Sequence, residues 1–311
     1  MKNILIGSNG GLTGVFLAKK FSEIGRYKLF GTDSAEFSIG KFFVNEQLIV
    51  PSSTDDRFTE SILNVLNNKE IDYYFPTHSK EIRVISANAK VIENSTKTKF
   101  IVSPIETFDA LDDKEKLYYS LTKAGIPTPR LIESDPDKYP LIMKKNIGSG
   151  GSGAQKITER ILYDAYKKLN IGASFFEWID GKEYTVDCVF DGDGKLLAHN
   201  CRERVKMMGG AAVISTNHNE IEILPWLMKM SVHWKFCGCV NFQFIWKNGT
   251  PYFTDINLRY PSGGLPLTVE SGINVPEMLI KLLDGEKIEY GDYKVNDSVH
   301  TMYRYFDEKY D

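Results

Sequence analysis

The sequence predicts a mixed fold, α/β in its first third and α+β in the remainder. Strands alternate with helices up to about residue 105, which is typical of a parallel sheet with helices on its faces. From residue 141 onward, short strands follow one another as hairpins, which favours antiparallel sheets. The length of 311 residues exceeds what one small core needs and indicates two or three packed units.

Apolar runs mark the elements of the first region. A helix is predicted at Leu12–Ile24, between the first two strands. The predicted strands are Asn3–Gly7, Tyr27–Gly31, Ile71–Pro76 and Phe100–Val102. Polar and glycine residues at 8–11 interrupt the apolar start, and no small-residue cleavage site follows. We therefore interpret the start as a buried strand rather than a signal peptide.

The second region follows a helix predicted at Asp112–Ala124, which ends before two prolines because proline lacks a backbone donor and favours extended backbone. We expect the junction between the regions at 103–112. The later predicted strands are Leu141–Lys145, Gln155–Thr158, Tyr184–Phe190, Lys195–Cys201, Val240–Trp246 and Tyr252–Leu258. The later predicted helices are Thr158–Leu169, Leu224–Phe236 and Val275–Leu283.

Composition excludes several classes of protein. Apolar residues make up 42% and charged residues 25%, as in an ordinary soluble globular chain. The formal net charge of -3 and the lack of a basic patch or long apolar run predict no nucleic-acid and no membrane partner. The four cysteines form no CxxC pair, which favours a reduced, cytoplasmic setting. We interpret Cys237 and Cys239 as small apolar residues entering a strand, rather than a redox or metal half-site.

A first glycine cluster, Gly7 to Gly14, lies between a strand and a helix, and Asp33 follows the second strand. Such a turn can bring backbone close to a pyrophosphate while the acid holds a ribose. The glycines are spaced GxxGGxxG, which departs from the dinucleotide fingerprint, and similar turns only pack a helix on a strand. We favour the packing role and keep an NAD-binding oxidoreductase or epimerase as an alternative.

A second glycine cluster runs from strand to strand. Its residues are Gly148, Ser149, Gly150, Gly151, Ser152 and Gly153. The Rossmann context is missing, and the Lys and Ser or Thr of a Walker A loop do not follow. A glycine hairpin can fold backbone N–H groups over phosphates, and Lys144 directly precedes this one. We favour a nucleotide loop over a flexible linker, with Lys114 and Lys144 as ammonium groups for a triphosphate.

A third constellation lies on the last predicted hairpin. Asp255 and Asn257 are two residues apart on a strand, so they share a face, and Arg259 is expected to follow on that face. Hard oxygen ligands beside a guanidinium are typical of a magnesium-phosphate site. The opposite face, with Thr254 and Ile256, is expected to be buried in the core.

Gln243 joins this site only under one condition. A two-residue turn at Asn248 and Gly249 in regular register would pair Gln243 with Thr254 and turn it away from Asp255. We therefore expect an odd loop, of three residues with Gly249 left-handed, if Gln243 shares the face of Asp255.

Taken in order, these pieces resemble the ATP-grasp superfamily, in particular the branch of the carbamoyl phosphate synthetase large subunit, biotin carboxylase and carboxylate-amine ligases. The resemblance covers nearly the whole chain. Five segments carry it. They are Asp113-Lys114 near the start of a helix, the segment 124–129 that follows this helix, the strand 140–144 with its lysine, the loop 148–153, and the segment 176–187 that is similar to the interdomain hinge. It implies a Rossmann-like N-terminal (pre-ATP-grasp) domain at 1–106, a small lid subdomain at 107–183 and a central and C-terminal subdomain at 184–311.

The resemblance also implies roles for site residues. The nucleotide would be bound by Lys114, Lys144, Gly148 to Gly153, Glu177, Trp178, Ile179 and Glu183. Gln243, Asp255 and Asn257 would hold Mg²⁺ or Mn²⁺, with Asp255 in place of the commoner glutamate. Arg259 and Lys144 would act on the transferred phosphate. Arg202 and Arg204 are candidates for gripping a substrate carboxylate, with surface ion pairs as the alternative.

The implied function is a carboxylate-amine or carboxylate-thiol ligase that uses ATP and Mg²⁺, forms an acyl phosphate and releases ADP and phosphate. The chain holds one ATP-grasp-like unit and no amidotransferase, so we expect that this polypeptide does not make carbamoyl phosphate by itself. The expected partners are small-molecule carboxylates and amines, and a homodimer is left open. A non-catalytic ATP sensor is the second alternative.

Overall fold

The computed structural model describes residues 1–146, 154–169, 172–218, 220–296 and 301–311. Within them, three sheets follow one another along the chain, with four, three and six strands. The first sheet is parallel, and the other two are antiparallel. The predicted combination of α/β with α+β structure is confirmed.

The first region alternates strands and helices. Its strands are β1 (Lys2–Ile6), β2 (Tyr27–Asp33), β3 (Glu46–Ile49) and β4 (Tyr73–Phe75). Its helices are α1 (Leu12–Ile24), α2 (Phe58–Asn68), α3 (Ser79–Ala87) and α4 (Ala89–Ser95), with a 3-10 turn at Ile39–Phe43. The sheet order β3-β2-β1-β4 places β1 inside the sheet, paired in parallel with β2 and β4.

Side chains of β1 alternate between two cores. Ile4 and Ile6 pack with α1 on one face, while Leu5 packs with α2 on the other. All three are fully buried, as expected for a strand covered by helices on both faces. This alternation explains why a short apolar run at the start of the chain becomes the interior strand of a parallel sheet.

The middle of the chain builds the small sheet. Its elements are α5 (Ile105–Leu111), α6 (Lys114–Lys123), β5 (Leu141–Lys145), β6 (Gln155–Ile157), α7 (Arg160–Leu169) and β7 (Ala173–Glu177). The order β6-β5-β7 makes β5 the central strand. Leu141, Met143 and Phe175 form the core beneath this sheet, together with Tyr163 of α7.

The remaining elements build the large sheet. They are β8 (Lys182–Phe190), β9 (Leu196–Met208), β10 (Ala211–Asn217), α8 (Leu224–His233), β11 (Gly238–Lys247), β12 (Thr250–Asn257), α9 (Leu265–Glu270), α10 (Val275–Leu283) and β13 (Thr301–Tyr303). The strand order is β12-β11-β8-β9-β10-β13. This hairpin-rich arrangement places the end of the chain beside β10.

Two cores cover the faces of the large sheet. One contains Leu117 and Leu121 of α6, and the other joins residues of β1 and α1 to residues of α10. The first and last regions therefore share one continuous core. The division at residues 106 and 183 stays a proposal, and α6 marks a place where the small and large units share packing.

Several predicted boundaries are wrong. Phe100–Val102 is not a strand, although the neighbouring Lys99 forms an isolated bridge with Tyr73. The helix expected to reach Phe236 ends at His233, and β9 continues to Met208. Strands β3, β10 and β13 were not expected at all, because they are short or half-exposed and have no continuous apolar run.

The cysteines fit the packing interpretation. Cys188, Cys201, Cys237 and Cys239 are free and buried. Burial raises the pKa of the Cys237 thiol to about 11, which keeps it in the unreactive thiol form at neutral pH. None of the described helices combines the length and the apolar character needed to cross a bilayer.

Candidate functional site

A cavity of about 420 Å³ lies between the small sheet and the large sheet. Its walls come from β5, from residues 176–179 at the end of β7, and from β8, β9, β11 and β12. The lining combines apolar side chains with a cluster of charged and amide groups. Such a lining suits a ligand that has both an apolar ring and anionic groups.

The apolar part of the lining is assembled from distant segments. It contains Leu117, Ile142, Trp178, Ile179, Met207 and Ile245. The Lys156 ammonium lies 4.1 Å from the centre of the Trp178 ring, a cation–π contact that orients the indole. A planar apolar ligand in the cavity would contact these side chains on several sides.

Lys114, Lys144 and Asp255 form the charged cluster. Lys144 Nζ donates to Asp255 Oδ2 at 3.1 Å and to the Thr254 carbonyl at 3.2 Å. Lys114 pairs with the other carboxylate oxygen. Burial alone would raise the pKa of Asp255, but the charges and hydrogen bonds of the two lysines outweigh it and hold that pKa well below its usual range. Two ammonium groups against one carboxylate leave one excess positive charge.

Helix capping positions Lys114. It is the first residue of α6, and the preceding Asp113 accepts from the backbone N–H groups of Glu115 and Lys116 at 2.9 and 3.0 Å. The Lys114 N–H itself donates to the Asn146 carbonyl at 3.0 Å. The start of α6 is therefore fixed to the end of β5.

Strand alternation positions Lys144. Leu141 and Met143 of β5 are buried beneath the small sheet, and Ile142 and Lys144 lie on the opposite face. Both of the latter line the cavity. The prediction that β5 carries a cavity-facing lysine depends only on this two-residue period.

The hairpin β11–β12 closes with a two-residue turn. Asn248 and Gly249 have φ values of 50° and 79°, and Lys247 pairs with Thr250. Two consecutive left-handed residues are typical of a type I′ turn. The expectation of an odd, three-residue loop is wrong.

The register is nevertheless shifted, because a bulge interrupts the ladder. Phe244 pairs with Phe253, but Gln243 pairs with Asp255, so Thr254 is the extra residue. Gln243 and Asp255 therefore share a face and both line the cavity. Thr254 lines the cavity too, which corrects the expectation that it is buried in the core.

Arg204 connects three parts of the cavity wall. Its guanidinium pairs with Glu183, donates to Gln243 Oε1 at 3.1 Å and donates to the Gly210 carbonyl at 3.2 Å. Its side chain is 10% exposed. Arg204 thus lies inside the cavity rather than in a surface ion pair.

The oxygen donors fit a metal that arrives with a phosphate ligand. Asn257 lines the cavity and donates its amide N–H to Asn241 at 3.2 Å, so its side-chain oxygen is not used in that hydrogen bond. Asp255 supplies a carboxylate and Gln243 a second amide oxygen. No group of three His, Cys, Asp or Glu side chains that could hold a metal occurs among the described residues. Magnesium commonly uses one or two carboxylates together with substrate phosphates.

Arg259 does not share the cavity of Asp255. Strand β12 ends at Asn257, so the alternation of faces does not extend to Arg259. Its guanidinium donates to the Tyr260 carbonyl and to Ser262 Oγ, both at 3.3 Å. It lines an adjoining second cavity, and the expectation of one shared face is wrong.

Arg202 lies in the interior, which corrects the alternative of a surface ion pair. Its Nε and Nη2 donate to the two carboxylate oxygens of Asp187 at 2.8 and 3.1 Å, and both side chains are at most 4% exposed. Thr268 also donates to Asp187, and Arg202 donates to Ser215. The structure does not bring Arg202 into either cavity.

Asp33 is occupied by its own loop. Its Oδ2 accepts from the Gly10 N–H at 3.1 Å and from Ser38 Oγ at 2.8 Å, and its Oδ1 accepts from the Ala35 N–H at 3.1 Å. These contacts support the packing interpretation of the first glycine turn over a ribose-binding role.

Parts of the sequence are similar to known proteins. The family model described as "ATP-grasp in the biosynthetic pathway with Ter operon" matches residues 175–304. The carbamoyl phosphate synthase large chain of Thermoanaerobacter sp. (strain X514) is 24% identical over 220 residues, which cover 63% of this chain and 20% of that protein. The chain thus spans about a fifth of the length of that curated relative.

Solved structures share the fold. Biotin carboxylase from Campylobacter jejuni superposes with a TM-score of 0.72 at 19% identity, covering 95% of this chain and 74% of that one. N5-carboxyaminoimidazole synthetase from Staphylococcus aureus, complexed with ADP, has a TM-score of 0.71 at 18% identity, covering 95% and 79%. Residues 175–304 therefore match an ATP-grasp family model, and the chain as a whole shares the fold of these two solved structures.

The first residues of the predicted hinge lie at the cavity. Glu177, Trp178 and Ile179 all line the first cavity. The Glu177 N–H donates to the Arg130 carbonyl, and Glu177 Oε1 accepts from the Arg130 N–H, both at 2.9 Å. Because that N–H is already paired, Ile179 is the better candidate for a backbone contact with a base.

The glycine-rich loop from Gly148 to Gly153 lies outside the described residues. The described ends of the loop, Asn146 and Ala154, lie beside the cavity: Asn146 accepts from the backbone of Lys114, and Ala154 lines the wall. The role of the loop stays a prediction.

The sequence did not reveal the apolar lining of the first cavity or two further residues of its wall. Thr128 and Pro129 of the connection after α6 line the first cavity, as do Leu117, Met207 and Ile245. Ordinary apolar residues carry no motif, so their role depends on how the two sheets face each other. Met207 lies on the part of β9 beyond Cys201, which the predicted strand did not include.

Proposed function

We propose that this chain is an ATP- and Mg²⁺-dependent ligase that activates a carboxylate as an acyl phosphate and transfers the acyl group to an amine or thiol. The observation that carries the proposal is the convergence of Lys114 and Lys144 on Asp255 in a cavity that also has apolar walls. The finer likeness to carbamoyl phosphate synthetase is part of the proposal.

The apolar walls would take the adenine ring. Trp178, Ile142 and Ile245 offer contacts to its faces and edge, and Ile179 offers backbone groups. Glu183 would accept hydrogen bonds from the ribose hydroxyls once its pairing with Arg204 rearranges. This placement directs the triphosphate toward Lys114 and Lys144.

The charged cluster would bind the phosphates. The excess positive charge of Lys114 and Lys144 favours a polyanion, and the two ammonium groups would exchange Asp255 for phosphate oxygens. Asp255, with the amide oxygens of Asn257 and Gln243, would then hold Mg²⁺. When bound, the metal neutralises charge that builds up on the transferred phosphoryl group.

The chemistry needs little covalent help from the protein. A carboxylate oxygen attacks the γ-phosphorus of ATP, the bond from that phosphorus to the bridging oxygen breaks, and ADP leaves. An amine then attacks the acyl carbon, loses a proton and expels inorganic phosphate. The chain contributes alignment of the reactants and positive charge from Lys114, Lys144 and Arg259.

Substitution of the cluster tests the proposal. We expect Lys144→Ala and Asp255→Ala each to abolish carboxylate-dependent ADP formation, assayed over paired amino acids, sugar acids and bicarbonate with ammonium. Lys116→Ala, on the same helix as Lys114 but outside the cavity, should keep full activity. Full activity of either cluster variant would remove that residue from the site. Nucleotide binding by the wild type without ADP release on any pair would favour the ATP sensor instead.

A further inference from the structure

A second cavity, of about 600 Å³, adjoins the first. It lies where β1, β2 and β4 end, beside the turns that follow them, and the β9–β10 turn and the segment after β12 close it from the other side. The carboxyl ends of parallel strands commonly form ligand sites. Gly210 lines both cavities, so the two spaces meet at that residue.

Arg259 brings to this cavity a guanidinium that contacts no carboxylate. It forms no ion pair with any described carboxylate, since Asp255 and Asp112 act on it only at longer range, and its Nε is buried without a hydrogen-bond partner. Arg304 lies on the other side of Ser262, donates to its carbonyl at 3.3 Å, and also has a buried Nε without a partner. A largely buried guanidinium without a counter-charge is costly, which indicates that an anion completes the site.

The acidic groups of the second cavity cannot supply that counter-charge, because both are already bound. Asp33 accepts three hydrogen bonds within its own loop. Glu81 accepts from the Tyr74 hydroxyl at 2.5 Å and from Ser8 Oγ at 2.8 Å, and burial raises its pKa. The lining also includes Lys80, which forms no ion pair among the described residues.

The pKa of His78 reflects burial and the positive charge of Arg259 and Lys80 in this cavity. Burial lowers the pKa of His78 first, and the charges of Arg259 and Lys80 lower it further. Arg259, Lys80 and His78 therefore line the cavity. Its two carboxyl groups, Asp33 and Glu81, are hydrogen-bonded by neighbouring residues.

Much of the remaining lining consists of hydroxyl groups. Ser52, Ser53 and Thr54 form one rim after β3, and Thr13 and Ser79 stand at the starts of α1 and α3. Few large apolar side chains interrupt them. Hydroxyl groups both donate and accept hydrogen bonds, so they match a ligand with several polar groups.

We propose that the second cavity binds the carboxylate substrate, a small hydroxyl-bearing organic acid whose carboxylate contacts Arg259 and whose hydroxyls contact the 52–54 rim. The proposal rests on the ligase function proposed above and names the class of its acceptor. Because Gly210 lies between the cavities, a carboxylate at Arg259 would face the phosphate side of the nucleotide cavity.

Binding measurements test this assignment without turnover. The probes are D-gluconate and D-glycerate, with butyrate as the apolar acid and inorganic phosphate as the competing anion. Thermal stabilisation and isothermal calorimetry are measured with and without the non-hydrolysable analogue AMPPNP and Mg²⁺. We expect the hydroxy acids to bind at least about tenfold more tightly than butyrate or phosphate, because several hydrogen bonds add to the ion pair.

Variants locate the site. Arg259→Gln should weaken hydroxy-acid binding by about 10- to 100-fold, the range for losing a charged hydrogen bond, and its stabilisation by AMPPNP shows that it is folded. Lys80→Ala should weaken binding by about two- to fivefold. Lys90→Ala is the matched control, since this exposed lysine of α4 does not line the cavity.

The outcomes separate the two proposals. AMPPNP binding without any response to the two hydroxy acids, or tighter binding of phosphate than of either acid, overturns the substrate class and leaves the nucleotide site intact. Hydroxy-acid binding that Arg259→Gln does not weaken overturns the location. Hydroxy-acid binding that depends on Arg259 in a protein that binds no nucleotide supports this site and overturns the ligase function.

Discussion

At the scale of single residues, the structure gives different environments to two arginines that are close together in the sequence. Arg202 and Arg204 are two apart on β9, yet Arg202 is held by Asp187 in the interior while Arg204 lines the first cavity. Gly264 shows how closely the interior is packed, because a Cβ there would lie 2.0 Å from the Arg202 guanidinium. Absence of a side chain at Gly264 is thus required by packing.

We predict that Arg202→Ala lowers the free energy of unfolding by about 3–5 kcal/mol, because it leaves the Asp187 carboxylate buried without its ion-pair partner. Urea denaturation monitored by fluorescence measures this change. The double variant Arg202→Met with Asp187→Leu removes both charges and should be clearly less destabilised. A double variant at least as unstable as Arg202→Ala would contradict the argument.

A second residue-scale prediction concerns pH. The pKa of Asp255 is far below its usual range in the folded state, so its ion pairs stabilise the fold above the unfolded carboxyl pKa of about 4 and lose this effect as pH falls toward the folded value. The wild type should be more stable than Asp255→Asn at pH 7, and the difference should shrink below about pH 4. Urea titrations at pH 7, 5, 4 and 3 compare the two proteins.

The control for this pH experiment is Asp137→Asn. Asp137 is exposed, and replacing it should leave stability nearly unchanged at each pH. A stability difference for Asp255→Asn that stays constant down to pH 3 would show that the lysine pairs do not exist in solution.

At the scale of elements, the β11–β12 hairpin decides the composition of the site. A regular ladder across the turn at Asn248 and Gly249 would turn Gln243 away from Asp255, and the bulge at Thr254 reverses this. The same bulge directs the Thr254 carbonyl to Lys144. One extra residue in one strand thus places the proposed metal ligand Gln243 and a lysine contact together.

We predict that Gly249→Ala destabilises the protein by about 1–2 kcal/mol, because its φ of 79° is left-handed and unfavourable for a residue with a Cβ. Gly192→Ala is a matched control, since both positions have open space around an added Cβ but only Gly249 has a left-handed φ. The control should change stability by less than about 1 kcal/mol, in the stabilising direction. Equal losses in both variants, measured by thermal unfolding, would contradict the conformational explanation.

At the scale of the whole molecule, three sheets leave two adjoining cavities. The first cavity lies between the small and large sheets, and the second cavity lies between the parallel sheet and the large sheet. The shared core of β1, α1 and α10 fixes the parallel sheet against the large one. A reaction between ligands in the two cavities depends on that relative placement.

We predict that AMPPNP with Mg²⁺ raises the melting temperature by about 5 °C at about 100-fold above its Kd, by the usual linkage of binding to stability. Mg²⁺ alone should give no shift, because Asp255 is the single carboxylate among the proposed ligands and is paired with two lysines. NAD⁺ should give none, because Asp33 is occupied within its loop. A shift with NAD⁺ but not with AMPPNP would favour the oxidoreductase.

Periodicity within the sequence predicted those parts of the fold that depend on neighbouring residues. The helix predicted at Asp112–Ala124 and the strand predicted at Leu141–Lys145 are both present. Strand β13 escaped prediction because it has three residues and pairs with β10, far away in the chain. Strand β10 pairs with the preceding β9, but the predicted strand there ended at Cys201, so no hairpin was expected. Phe100–Val102 lies just past the single bridge that Lys99 forms with Tyr73, and the ladder at that edge of the parallel sheet does not extend to it.

The sequence by itself determined the order of units, the two lysines, the Asp255 and Asn257 pair and the resemblance to ATP-grasp proteins, because these follow from local spacing. The tertiary structure decided that Gln243 joins them through a bulge, that Arg202 is interior and that Arg259 lines the second cavity. Those outcomes depend on strand register and on sheets that face each other across long stretches of chain. Such non-local packing is not encoded in the spacing of any single motif.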